Sequence, residues 1–188
     1  LAGGVMSVLP IPEREGEFLA IQRFYPVFES KEAEIVHCRL ERLDGEELPA
    51  SVRTVAKLPY VHRVALTGEP EARKIVAATL CRSKAYTDDW SQPGAVYEYR
   101  LTGKMEVDDR RLLLDGIHKN HGMFRYEKTG GTYVLVSGAE GIWAVDAAGG
   151  TRNLCDEPAG DLCMFDVDGD GVDELICITP FHGNTLTS

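Results

Sequence analysis

The stretch GDLCMFDVDGDGVDELICITPFHG, Gly160 to Gly183, decides how the rest of the chain is read. Two short apolar runs, LCMF and ELICIT, flank a turn of alternating aspartates and glycines. Runs this short, bounded by Asp, Gly and Pro, read as strands. Joined by that turn they form an antiparallel hairpin. The start of the first strand and the end of the second then share one end of the hairpin, and the acidic turn occupies the other. His182 follows the second strand, so it is placed opposite the aspartates.

Three earlier segments can be laid over this one. They are GGVMSVLPIPEREGEFLAIQRFYP (3–26), VHRVALTGEPEARKIVAATLCRS (61–83) and NHGMFRYEKTGGTYVLVSGAEG (120–141). Each is a short strand, an acidic or Gly-rich turn, and a more apolar strand with a polar end. Further strand-like runs follow, such as AEIVHCRL with SVRTVAKL, AVYEYRL with RRLLLDGI, and GIWAVD. ESKEAE is the best short helical stretch, and a solvated strand entry reads equally well. Four strands per unit at a period of about 40–60 residues is the spacing of a β-propeller blade. The expected fold is therefore all-β, a partial propeller of four-stranded antiparallel blades. Its units cover about 3–58, 59–119, 120–158 and 159–188, the last truncated, which makes roughly three and a half blades. Propellers close with about 4–8 blades. The remaining blades are expected from the rest of a longer polypeptide, or from a second chain.

The fourth segment resembles the FG-GAP or VCBS repeat of integrin-type propellers, in which D-x-D-x-D-G-x-x-[DE] joins the first two strands of a blade. The match runs from Asp166 to Glu174; the other three segments have lost the acidic ligands. Hard cations such as Ca²⁺ take six to eight oxygens at about 2.3–2.6 Å. Asp166, Asp168 and Asp170 can supply three of them. The resemblance implies the Val172 carbonyl and the Glu174 side chain as further ligands, and a structural Ca²⁺. The loop is not an EF-hand, because its twelfth position is Cys177 and no helix flanks it. An acidic Gly-rich turn that holds no ion is the plain alternative.

The hairpin rule also sorts the histidines. His62 and Arg63 begin the first strand of unit two; His118, Lys119 and His121 lead into unit three. Arg23 and Tyr25 end the second strand of unit one, and Glu140 ends that of unit three. All are expected on the rim that carries His182, while His37 lies mid-strand further out. The loop AYTDDWSQPG brings Tyr86 and Trp90 to the same rim, where they can stack on a sugar ring or pack down on their own unit.

Imidazoles gathered in this way suit two chemistries. They can hold Zn²⁺ or another divalent metal through nitrogen. Alternatively they serve as acid and base, with Arg63 and Lys119 holding an oxyanion or a carboxylate. HRV, NHG and PFHG on such blades are similar to the propeller domain of aldos-2-ulose dehydratases and their bacterial relatives. That resemblance implies a metal-dependent lyase, dehydratase or isomerase acting on a carbohydrate. On the rim placement, His62, Arg63, His121 and His182 are expected to be catalytic, and Lys119, Tyr86, Trp90 and Glu140 to contact substrate. The family's additional cupin region has no counterpart here. A Ca²⁺-stabilised scaffold that binds a glycan or a protein is the alternative.

Composition narrows the setting. The chain has 188 residues, 44% of them hydrophobic, and a formal net charge of −10. The negative balance argues against a nucleic-acid backbone or an anionic membrane as partner. No apolar run reaches the about 18 residues of a membrane span. Five cysteines without a C-x-x-C pair, and an N-terminus without the basic start of a signal peptide, predict a reducing, cytoplasmic setting. No P-loop, dinucleotide fingerprint, nucleophile elbow or His-Glu-x-x-His motif occurs.

Overall fold

A computed structural model describes residues 1–43 and 45–188. The chain folds into four antiparallel sheets, each an up-and-down meander of consecutive strands. The first holds β1 (Ser7–Pro10), β2 (Glu17–Gln22), β3 (Glu34–Leu43) and β4 (Glu46–Lys57). The second holds β5 (Val61–Thr67), β6 (Lys74–Thr79), β7 (Gly94–Leu101) and β8 (Val107–Ile117). The third holds β9 (Met123–Lys128), β10 (Gly131–Gly138), β11 (Gly141–Asp146) and β12 (Thr151–Cys155). The last has three strands, β13 (Leu162–Phe165), β14 (Glu174–Thr179) and β15 (Thr185–Thr187). Among the described residues the only helical elements are 3₁₀ turns at Val27–Glu32 and Pro70–Ala72. The first of these takes up most of ESKEAE. Among the described residues no helix is long and apolar enough to cross a membrane.

The order within each sheet follows from composition. The second strand is the apolar one: EFLAIQ, KIVAAT and TYVLVSG are buried over most of their length. The outermost strand of the second sheet, VDDRRLLLDGI, is exposed over its first six residues. Strands buried on both faces read as continuous apolar runs, and strands at an outer edge carry charge.

The period of two along each strand then decides which sheet meets which. On β6, Ile75 and Ala77 point toward the first sheet and join Leu19, Ile21 and Ile35. Val76 and Ala78 point the other way and meet Val134, Val136 and Val145 of the third sheet. On β10 the same alternation sends Leu135 toward Leu162 and Cys177 of the fourth sheet. Each inner strand is thus a two-faced wall, and the sheets stack face to face in chain order. Their first strands also lie next to one another: β1 beside β5, β5 beside β9, and β9 beside β13. All five cysteines are unpaired, with Cys38, Cys81 and Cys177 buried as small hydrophobes.

Candidate functional site

Rings from all four sheets reach a common rim. Phe24 follows β2, His62 sits in β5, His121 precedes β9, and Phe181 with His182 follows β14. The ring centroids of Phe24 and His62 are 5.4 Å apart, those of His62 and His121 5.0 Å, and those of His121 and His182 4.5 Å. Phe181 stacks on His182 at 4.4 Å. The rings wall a cavity of about 460 Å³, completed by Leu80, Asp88, Trp90 and Lys119. Imidazoles up to 120 positions apart in sequence are therefore neighbours. The hairpin rule places them so: in the fourth sheet Leu162 pairs with Cys177 at the rim end, and Phe165 with Glu174 at the end that carries the acidic loop.

Local backbone holds the rings in place. Arg23, Tyr60, Lys119 and His182 all have positive φ, between 52° and 59°. Non-glycine residues rarely adopt this region, and such strain gathers where a fold over-determines a turn. Here the turns are fixed by main-chain bonds: Lys119 N donates to Leu80 O (2.8 Å), and Leu80 N to Tyr60 O (3.0 Å). Asn120, fully buried, donates through Nδ2 to the carbonyls of Ser137 (2.8 Å) and Gly122 (3.3 Å). Gly122 is required because a Cβ there would run into Ser137 Oγ and the Gly160 carbonyl. Asn120 and Gly122 thus clamp the His121 turn from both sides.

Electrostatics separate the three imidazoles. His62 is 4% exposed, and its Nδ1 has no partner among the described residues. Burial, helped by the neighbouring Arg63 charge and by His121, pushes its pKa down to about 3. His62 is therefore neutral at physiological pH. His121 is half-buried with an unpartnered Nδ1, and burial followed by His182 and Arg63 lowers its pKa as well. His182 is exposed.

Of the residues expected from sequence, His62, His121, His182, Lys119 and Trp90 line the cavity; Arg63, Tyr86 and Glu140 do not. Arg63 donates through Nε to the His121 carbonyl (2.7 Å) and reaches Asp161 at 3.8 Å, so it positions the His121 turn. Glu140 accepts from the His118 main chain (2.6 Å) and contacts its Nδ1, which ties the entry to β9 to the β10–β11 hairpin. Tyr86 is 63% exposed outside the cavity. Trp90 is held by its own loop. Asp89 accepts from Ala85 N, Ser91 Oγ and Ser91 N, and these bonds keep its carboxyl at about 2. Lys84 Nζ sits 3.2 Å from the centroid of the Trp90 ring. His37 lies away from the rim and pairs with Glu17 at 2.8 Å.

Sequence reasoning missed Phe24, Phe181, Asn120 and Asp88. The signal for two of them was present: QRFYP and TPFHG occupy the same position after a second strand, and laying one on the other superposes the phenylalanines.

At the opposite end of the last hairpin, Asp166, Asp168 and Glu174 bring oxygens within 4.8 Å of one another. Asp170 is not in this group; its carboxylate accepts from Val172 N (2.7 Å). The loop also caps itself elsewhere. Asp166 accepts from Gly169 N (2.6 Å) and Gly171 N (2.9 Å), and Glu174 from Val167 N (2.9 Å). The clustered oxygens and the free loop face suit a hard cation. Among the described residues this is the only set of three possible ligand atoms so closely gathered, and it does not include the imidazoles. With metal–nitrogen bonds of about 2.0–2.1 Å, three imidazole ligands need their nitrogens closer than they stand at the rim. The chain matches no family model, no curated protein and no solved structure.

Proposed function

We propose that the four sheets are successive blades of a β-propeller, and that the rim cavity is an acid–base site of a lyase, dehydratase or isomerase acting on a carbohydrate. The side-by-side first strands and the face-to-face stacking of meander sheets support the propeller reading. Further blades, from the same polypeptide or a second chain, would cover the outer faces of the first and last sheets. One observation carries the functional reading: three imidazoles from three sheets, two of them with orphan Nδ1 atoms, open on one aromatic-walled cavity.

The chemistry follows from the differences between them. A neutral imidazole with a vacant nitrogen accepts a proton from a carbon next to a carbonyl. His121 lines the cavity and has that nitrogen, but its Nδ1 is buried, so a turn of the ring is needed to bring it to the substrate. His182, 4.5 Å away and open to water, returns a proton to a leaving hydroxyl or to the adjacent carbon. His62 stays neutral behind them and keeps a second positive charge out of the row. Trp90 and Phe181, both half-buried, offer faces on which a sugar ring packs, while Phe24, buried in the core, backs the wall. The same imidazoles holding a divalent metal would require the rings to turn toward one point. The acidic loop, for its part, takes a Ca²⁺ that clamps the last hairpin and has no part in the reaction.

The test is solvent exchange. Metal-stripped protein incubated with a panel of aldoses and ketoses in D₂O should incorporate deuterium next to the carbonyl of at least one of them. His121→Gln should slow this by about 100-fold or more. Absence of exchange with the whole panel, with and without added Zn²⁺, defeats the enzyme reading and leaves the glycan-binding scaffold.

A further inference from the structure

Within the carbohydrate reading, the charges around Trp90 specify more than a neutral sugar. Two ammonium groups share its indole ring: Lys84 Nζ lies 3.2 Å and Lys119 Nζ 5.2 Å from the ring centroid. Their situations differ. Lys84 donates to the carbonyls of Thr87 and Asp89, both at 2.9 Å, so its charge is spent on holding the loop. Lys119 Nζ makes no hydrogen bond or ion pair among the described residues, and it lies within reach of the Phe181 face as well, at 6.0 Å. Its main chain is anchored to Leu80 in a left-handed turn, so the side chain is delivered to the cavity from a fixed base.

Two like charges at one ring repel each other, and an anion beside the unsatisfied one relieves that repulsion. Asp88 and Asp89 stand near Lys84 and offset its charge, but no ion pair joins Lys119 to a carboxylate among the described residues. Among the described residues Asp88 is the one acid of the cavity wall, and Lys119 the one lysine or arginine. Arg63 and Glu140 are occupied by the His121 carbonyl and by His118.

We propose that the cavity takes a carbohydrate bearing an anionic group, a carboxylate or a phosphate, with the anion on Lys119 and the sugar ring against Trp90 and Phe181. The proposal rests on the carbohydrate reading and assigns Lys119 as the residue that selects within it. A charge-assisted hydrogen bond of this kind amounts to about a ten-fold preference or more.

The experiment is NMR titration of the imidazole Cε1–H resonances with D-glucuronate, D-glucose 6-phosphate and D-glucose. At least one anionic sugar should shift His121 and His182 at a concentration about ten-fold or more below that needed for glucose. The choice between glucuronate and glucose 6-phosphate identifies the anion. Lys119→Met should erase the preference, Lys119→Arg should keep most of it, and Lys128→Met, at the far end of the third sheet, should leave it intact. Equal binding of all three sugars, or a preference that survives Lys119→Met, overturns this inference and leaves the carbohydrate reading standing. If none of the three sugars moves the imidazoles, both fall together.

Discussion

The two ends of the last hairpin are built on opposite principles. The acidic loop is local: within nine residues, Asp166 to Glu174, its carboxylates are capped by its own N–H groups. The histidine rim is assembled from four sheets, with His62, His121 and His182 brought together only by stacking. A local device tolerates changes elsewhere in the chain and responds to its own ligand. A rim built across sheets depends on every interface beneath it, and burial there changes the chemistry of the groups it holds.

That contrast can be broken most forcefully at Gly122. A Gly122→Val substitution drives a side chain into Ser137 and the Gly160 carbonyl. It should cost about 3 kcal/mol in urea unfolding and displace His121 from the row. A glycine substitution in the acidic loop, Gly169→Ala, meets open space and adds only the strain of a left-handed alanine, about 1 kcal/mol.

Acid comes next. His62 is neutral in the fold down to about pH 3, whereas the unfolded chain protonates it near its ordinary value of about 6.5. Between those values the unfolded state binds more protons, so stability is complete above pH 6.5 and is lost as pH falls. The slope from this one group approaches about 1.4 kcal/mol per pH unit, or about 2 kcal/mol between pH 6.5 and 4.5. Comparing urea midpoints of wild type and His62→Gln across that range isolates it, since the variant should lose the slope.

Calcium sharpens the comparison from the other side. Ten millimolar Ca²⁺ should raise the stability of the wild type by about 1–2 kcal/mol, as expected for a weak surface site. Asp168→Asn should remove the gain without shifting the imidazole resonances. A calcium effect that survives this variant would relocate the cation site. The smallest effect belongs to His182→Ala. The side chain is exposed, so unfolding should change by less than about 0.5 kcal/mol, while sugar binding at the rim is lost. A protein that binds sugar normally without His182 would remove the exposed imidazole from the site.

Much of this was legible along the chain. Short apolar runs between Asp, Gly and Pro clusters specified strands, and the antiparallel sense of each hairpin placed His62, His121 and His182 on one side of the acidic loop. Those are properties of neighbours in sequence: strand period, turn chemistry and chain direction. The roles of Arg63 and Glu140 were not legible, because a charged residue at a strand end looks the same whether it faces a cavity or a neighbouring main chain. Arg63 turned out to hold the His121 carbonyl, and Glu140 the entry of His118. Phe24 and Phe181 left a signal in the matched positions of QRFYP and TPFHG, but an aromatic ring after a strand more often belongs to the core, and Phe24 is indeed buried there.

Order along the polymer thus settled which residues form strands, where they turn and which end each histidine occupies, since these depend on contacts a few residues apart. Stacking of the sheets alone decided how deeply each imidazole is buried, which nitrogens lack partners and which lysine is left facing the cavity. Desolvation and pairing at the rim are sums over atoms from four sheets, and no segment contains them by itself.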